Sequence, residues 1–206
     1  MRRSFIVVAA CLFLLTGTAP AQMKFAVGPH IGVSFSSFPK PLNEVYGTGF
    51  NFGAQGEMEL MKHVGIRLGL DYGMFSSDKT KFPYTDGNGQ AIPTSDISGL
   101  NVGMFSITAS GLGKLPLQGG VTPYGILGFG LHISSVGDLV VKAGGQDYTT
   151  IQGSSTTKFG MHFGAGTEYK INKSIGIFGE FKFMLIFTEG SSTTVMPLMF
   201  GANFWL

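Results

Sequence analysis

His132 and Ser134 are the residues best suited by type and spacing to covalent chemistry. A serine becomes a nucleophile when a base lies within hydrogen-bond reach, and residues two apart share one face of a strand. Such a pair could hydrolyse an ester. However, the only acids in the following segment are Asp138 and Asp147, and the apolar alternation through Leu131 places the pair on the opposite, polar face. We therefore expect no catalytic residue.

The other reactive side chains do not suggest a metal or cofactor site. No two of the histidines have the spacing of metal ligands. They are His30, His63, His132 and His162. Cys11 is the only cysteine, and the chain has no phosphate-binding loop, dinucleotide fingerprint or G-x-S-x-G elbow. We expect no metal and no cofactor.

The charge balance argues against a nucleic-acid partner. The chain has 14 Lys and Arg against 12 Asp and Glu. Arg2 and Arg3 account for the excess, and no basic patch follows them. A nucleic-acid-binding surface would need such a patch.

The N-terminal segment predicts export. Arg2 and Arg3 precede an apolar stretch over 5–15, and Ala19-Pro20-Ala21 forms an A-x-A cleavage site. We expect residues 1–21 to be a signal peptide and 22–206 to form one domain. The stretch ending at Cys11 is also similar to a lipoprotein cleavage box, so lipidation of Cys11 is the alternative.

Period-two alternation of apolar residues predicts strands throughout the mature chain. We place them at 24–37, 47–60, 64–77, 97–109, 120–134, 157–171, 175–188 and 195–206. Phe105 and Ile107 break the alternation of the fourth strand, which suggests a bulge. Long polar connections, 78–96 and 135–156, alternate with short ones such as 172–174, and 135–156 contains a predicted hairpin.

One face of these strands is apolar and the other is rich in glycine and charge. The apolar face includes Phe159, Phe163, Phe181, Phe183 and Phe187. The charged face includes Glu57, Glu59, Arg67, Asp71, Glu168, Lys170, Glu180 and Lys182. A soluble β-sandwich would bury the first face, whereas a membrane barrel would turn it to lipid.

Three features favour the membrane barrel. The strands match the 9–11 residues that cross a bilayer at a tilt, with some overhang. The apolar faces are large and continuous, since their five phenylalanines lie on adjacent strands. Glycines beside isolated charges suit a narrow lumen. We predict an all-β fold, a single closed eight-stranded antiparallel transmembrane β-barrel in up-and-down order.

Turn positions also predict the register. A turn at 61–63 pairs Leu60 with Val64 and places Glu57 opposite Arg67 on the inner side. A turn at 172–174 pairs Gly166 with Glu180 and Gly164 with Lys182, so that the glycines leave room for the charged side chains. The same register pairs Phe163 with Phe183 and Phe159 with Phe187.

The layout and the last strand resemble the small outer-membrane β-barrel family, which includes the transmembrane domain of outer membrane protein A. Leu198, Phe200, Ala202, Phe204 and Leu206 provide the family's C-terminal alternation, with Leu206 where an aromatic residue is usual. The resemblance implies a bacterial outer-membrane location. It also implies contact with lipid or lipopolysaccharide, and Phe200, Phe204 and Leu206 as a signal for the barrel assembly machinery.

We expect a non-enzymatic barrel with a structural role in the envelope and exposed extracellular loops. A narrow pore, or a barrel that binds a small ligand or an adhesion partner, is the first alternative, with the charged lumen as a gated path rather than a plug. Lipid A deacylases, which are also eight-stranded barrels, use a His-x-Ser pair on the lipid side. A lipid A-modifying enzyme is therefore the second alternative. The oligomeric state is left open.

Overall fold

A computed structural model describes residues 23–37, 46–77, 97–99, 101–143, 146–188 and 191–206. The predicted signal peptide, Cys11 and the whole segment 78–96 lie outside these residues. Within them, no helix is both long and apolar enough to cross a membrane.

The described chain is almost entirely β-strand, because its alternating residues give each strand one apolar and one more polar side. The strands are β1 (Lys24–Ser37), β2 (Tyr46–Met61), β3 (Val64–Ser77), β4 (Ile97–Gly99), β5 (Val102–Lys114), β6 (Val121–Val136), β7 (Leu139–Ala143), β8 (Gln146–Ile151), β9 (Ser155–Lys170), β10 (Ile175–Thr188) and β11 (Ser191–Trp205).

Eight of these strands form a closed antiparallel barrel in the order β1-β11-β10-β9-β6-β5-β3-β2. Each strand therefore pairs with its neighbours in chain order, and β1 closes the barrel against β11, where Ala26 pairs with Trp205. This is the predicted up-and-down barrel, and the fold prediction is confirmed.

The two ends of the barrel differ. At the turn end, 62–63, 115–120 and 171–174 connect the strands, and β1 begins and β11 ends there. A 3-10 turn within 115–120 has Gly119 and Gly120 at φ of 81° and 82°, a left-handed conformation that favours glycine. The opposite end, the loop end, has the longer connections, 38–45, 78–101 and 137–154, together with the two-residue connection 189–190.

A second, three-stranded sheet stands at the loop end. β7 and β8 form the hairpin predicted within 135–156, and β4 pairs with β7 through Ile97 and Val141. β4 and the β7–β8 hairpin belong to different loops, so backbone hydrogen bonds join two of the loops above the barrel.

The fourth barrel strand differs from its prediction. β5 begins at Val102 rather than residue 97, and its pairings with β3 and β6 run without a shift, so the predicted bulge was wrong. Phe105 and Ile107 point away from the buried side, whereas Val102 and Met104 are buried within the barrel. The alternation is regular, but its inner side is apolar near the loop end.

The irregularity lies instead in β2. The pairing of β2 with β3 shifts between Glu59 and Met61, and Met61, not Leu60, pairs with Val64. A one-residue bulge at the end of a strand is a common way to enter a tight turn. Four other predicted pairs are present: Glu57 with Arg67, Gly166 with Glu180, Gly164 with Lys182, and Phe163 with Phe183.

Candidate functional site

The lumen is filled by side chains, and its central group is Arg67. The guanidinium donates to Glu57 Oε2 from Nε at 3.1 Å and from Nη2 at 2.8 Å, and its Nη1 donates to Glu180. Arg67 is 3% exposed, and Glu57 and Glu180 are each 1% exposed. Opposite charges in a desolvated interior are tolerated when they are paired in this way.

Lys114 extends this charged layer, and sequence reasoning missed it. Its amine contacts Glu57 and lies 3.1 Å from Glu59 Oε1. The sequence prediction placed 110–119 in a turn, yet Thr108, Ser110 and Lys114 continue the inward polar alternation of β5. If the alternation is continued past residue 109, it predicts that Lys114 also points into the lumen.

Glu180 is held from three sides. Besides Arg67, the Tyr124 hydroxyl donates to it at 2.8 Å, and Lys182 Nζ lies 3.2 Å from its other oxygen. The space at Gly166, expected to receive the Glu180 side chain, receives Tyr124, since a Cβ at Gly166 would lie 2.5 Å from the Tyr124 ring. The missing side chain of Gly166 leaves room for the Tyr124 ring, and the Tyr124 hydroxyl in turn donates to Glu180.

Trp205 lies across the turn end of the lumen. It is out of phase with the apolar alternation of β11, so its indole points inward and Nε1 donates to Glu168 Oε1 at 2.7 Å. The amines of Lys114 and Lys170 lie 4.8 Å and 4.5 Å from the ring centroid, within cation–π distance. The ring thus connects β11 to β5 and β9 through the interior.

Histidines occupy the middle of the lumen. His30 Nε2 lies 2.7 Å from Asp71 Oδ1. His162 pairs with Ser110 and His132 with Ser106, each at 2.8 Å. Among the described residues, no cluster of three or more His, Cys, Asp or Glu could hold a metal ion.

The possible nucleophilic pair His132 and Ser134 lies on the inner side of β6. His132 is fully buried, and its partner is the Ser106 hydroxyl rather than Ser134. The lipid A deacylase alternative required this pair on the lipid-facing side, which the structure does not provide.

Towards the loop end, the lumen is apolar. A buried cluster fills it there, formed by Phe75, Val102, Met104, Met184, Ile186 and Val195, with Val136 packed against it. The sequence prediction described the interior as charged, and this holds only for the middle and the turn end. Between Asp71 and Met104 lies a cavity of about 20 Å³, the space of about one water molecule.

The outer surface of the barrel carries the predicted aromatic rows. Phe163 and Phe183 have ring centroids 5.3 Å apart, and those of Phe159 and Phe187 are 6.3 Å apart. Phe163 is 52% exposed, and no second sheet covers these rings in the described part of the chain. Phe181, Phe200, Phe204 and Leu206 are likewise exposed.

Comparisons with known proteins agree with this geometry. A family model described as "Outer membrane protein beta-barrel domain" matches residues 7–204. No curated protein sequence matches.

Solved structures of three bacterial outer-membrane proteins share the fold. Neisserial surface protein A is 18% identical, with a TM-score of 0.53 over 87% of this chain and 96% of that one. Ail, the attachment invasion locus protein of Yersinia pestis, is 15% identical, with a TM-score of 0.54 over 89% and 98%. A major outer membrane protein of Thermus thermophilus is 18% identical, with a TM-score of 0.60 over 90% and 100%.

Proposed function

The chain belongs to the outer membrane protein β-barrel domain family and lies in the bacterial outer membrane, and from this premise we propose that it is a non-enzymatic barrel with a sealed lumen. In this proposal the barrel supports the envelope and holds the loop end outside the cell. Bacterial barrels keep short turns in the periplasm and longer loops outside. The turn end is therefore assigned to the periplasm.

The observation that carries this proposal is the order of two layers within the lumen, a charged layer followed by an apolar one. The charged layer is occupied by direct contacts among Glu57, Arg67, Lys114 and Glu180. Beyond it, the cluster around Phe75 and Met184 fills the lumen with apolar atoms. An ion would have to displace both layers. This supports a plug over the narrow pore that is the alternative.

Conductance measurements test the sealed lumen. Purified protein, shown to be folded by the mobility difference between boiled and unboiled samples, is added to a planar lipid bilayer. We expect no discrete conductance steps, because paired charges and apolar packing close the lumen. A general porin inserted in the same way serves as the positive control. Reproducible steps that are absent from a mock preparation would favour the pore.

Binding by the exposed loops is a second candidate, and the sheet of β4, β7 and β8 supports it. Pairing of Ile97 with Val141 and of Gly99 with Leu139 holds two loops in one arrangement. A surface ordered before binding loses less conformational entropy when a partner arrives.

Removal of the β7–β8 hairpin tests this candidate. Cells displaying the barrel are compared with cells in which residues 139–151 are replaced by a short Gly-Ser linker. If the sheet is adhesive, attachment to cultured epithelial cells should fall to the level of cells without the protein. A lipid-facing Phe163→Leu variant, which leaves the sheet intact, is the matched control. Equal attachment by all barrel-bearing cells would reject the candidate.

We further propose lipid and assembly partners for the outer surface. Phe163, Phe181 and Phe187 are positioned to contact acyl chains of phospholipid or lipopolysaccharide. Phe200 and Phe204 on β11 have exposed side chains, and so does Leu206, which directly follows the strand. This spacing supports recognition of the last strand by the barrel assembly machinery.

A further inference from the structure

A cavity opens at the mouth of the lumen on the turn end. It has a volume of about 400 Å³, and Lys24, Lys62, Lys170, Glu59 and Thr122 contribute to its wall. Small-molecule sites in proteins commonly have about 300–1,000 Å³. A neighbouring open cavity is lined by Lys24, Lys170, Lys173 and Trp205. The mouth is thus large enough for a ligand and is bordered by four lysines.

The charges at this mouth are not balanced. Glu59 is the acidic side chain in the wall, and it is already engaged by Lys114 at 3.1 Å and by Lys170 at 3.9 Å. No carboxylate of the described residues forms an ion pair with Lys24 or Lys62. Lys24 pairs with Glu59 in the strand ladder, yet the cavity wall carries three lysines, Lys24, Lys62 and Lys170, against the single carboxylate of Glu59.

The charges deeper in the lumen are balanced. Deeper in the lumen, every acid that meets Arg67 or Lys182 is paired, and the layer is close to neutral. Beyond it the apolar cluster closes the barrel. A ligand can therefore reach these lysines only from the turn end. Deeper in the lumen an anion would meet no unpaired positive charge among the described residues.

We propose that the mouth binds a phosphate group through Lys24 and Lys62, with Lys170 as a third contact. A phosphate monoester carries about −1.5 to −2 charges at pH 7, and the phosphodiester of a phospholipid headgroup carries a single negative charge. Both are attracted to a wall in which lysines outnumber carboxylates. Lysine binds phosphate as a point charge and needs no fixed geometry. The phosphate could belong to the headgroup of a phospholipid in the adjacent leaflet or to a free periplasmic ester.

Trp205 provides the measurement, since it is the only tryptophan of the chain. Its ring lies 4.5 Å from the Lys170 amine, so a bound anion at Lys170 should change its fluorescence. In the first arm, the barrel in phosphatidylcholine nanodiscs is titrated with inorganic phosphate at constant ionic strength. In the second arm, the barrel is extracted from membranes containing phosphatidylglycerol, and the retained lipid is quantified.

The variants are chosen to separate the site from general charge effects. Lys24→Gln/Lys62→Gln should weaken the response to phosphate, or the retention of lipid, at least tenfold. Lys62→Arg should keep it. Lys142→Gln removes one positive charge from the hairpin at the opposite end and should behave as the unmodified protein. Both rim lysines are exposed, and unboiled gel mobility verifies that each variant is folded.

The two arms identify the source of the phosphate. A lysine-dependent fluorescence response supports the proposal with a free phosphate ester, and lysine-dependent lipid retention supports it with a phospholipid headgroup. Absence of any lysine-dependent effect in both arms overturns the proposal, as does an equal loss in Lys142→Gln. Neither result depends on whether the lumen conducts, so the sealed-barrel proposal stands or falls separately.

Discussion

Replacing Arg67 with Leu should destabilise the barrel by about 3–5 kcal/mol, the cost of breaking a buried ion pair by removing one partner. The substitution leaves Glu57 and Glu180 buried without the guanidinium that both of them contact. The free energy of unfolding is measured by urea titration in lipid vesicles, with Trp205 fluorescence as the signal.

Two further variants isolate the charge effect from loss of volume. In a Glu57→Gln background, Arg67→Leu should lower the free energy of unfolding by less, because one of the two carboxylates left without the guanidinium is then a neutral amide. The difference between the two costs is a coupling energy of about 0.5–3 kcal/mol. Arg67→Lys should recover only part of the stability, since one ammonium group cannot reproduce the fork that serves both acids. Additive effects of the two changes would reject the network.

Phe163→Arg should cost about 2–4 kcal/mol in a bilayer, the penalty for a cation on the lipid face near the midplane. Phe163 is near the centre of β9 and pairs with Phe183 on β10 and Leu127 on β6, both apolar and outward. The free energy of unfolding in vesicles again provides the measurement.

Depth along the same strand supplies the control for this change. Tyr169 also points outward but lies near the turn end of β9, where an arginine should cost only about 0–1 kcal/mol. Phe163→Leu keeps an apolar surface and should be close to neutral. Equal costs for arginine at positions 163 and 169 would contradict the assignment of this face to the membrane.

The sequence was sufficient for the fold because a barrel strand has a period of two on both of its surfaces. In β9 and β10 the alternation determined the face of every residue, and the turn at 172–174 determined the pairing. The Glu57–Arg67 pair followed from the same arithmetic. These are local rules, and they apply wherever the inner and outer faces differ in polarity.

The same rules failed where the two faces are alike. Val102 and Met104 are apolar although they point inward, so β5 was assigned the wrong phase and ended too early, and Lys114 was lost with it. The pattern of one strand cannot show that Phe75, Met184 and Val195 meet inside the barrel. That meeting depends on the stagger of strands far apart in the chain.

Trp205 illustrates a second limit. Its inward direction follows from the alternation, because it lies between the outward residues Phe204 and Leu206. What the residue does there depends on Glu168, Lys114 and Lys170, which come from two other strands. The sequence did not single out this residue, and only the closed barrel shows its partners.

The pairing of β1 with β11 constrains how this protein is made. Every other pair of neighbouring barrel strands follows directly in chain order and can form as a hairpin. The pairing of β1 with β11, where Ala26 meets Trp205, can form only after the last strand has been synthesised. Until then two rows of backbone donors and acceptors stay open, and in hydrocarbon each unmet group costs several kcal/mol. We therefore expect insertion into the membrane and pairing of β1 with β11 to occur together. A chain arrested within β11 would expose two unpaired strand edges to neighbouring chains.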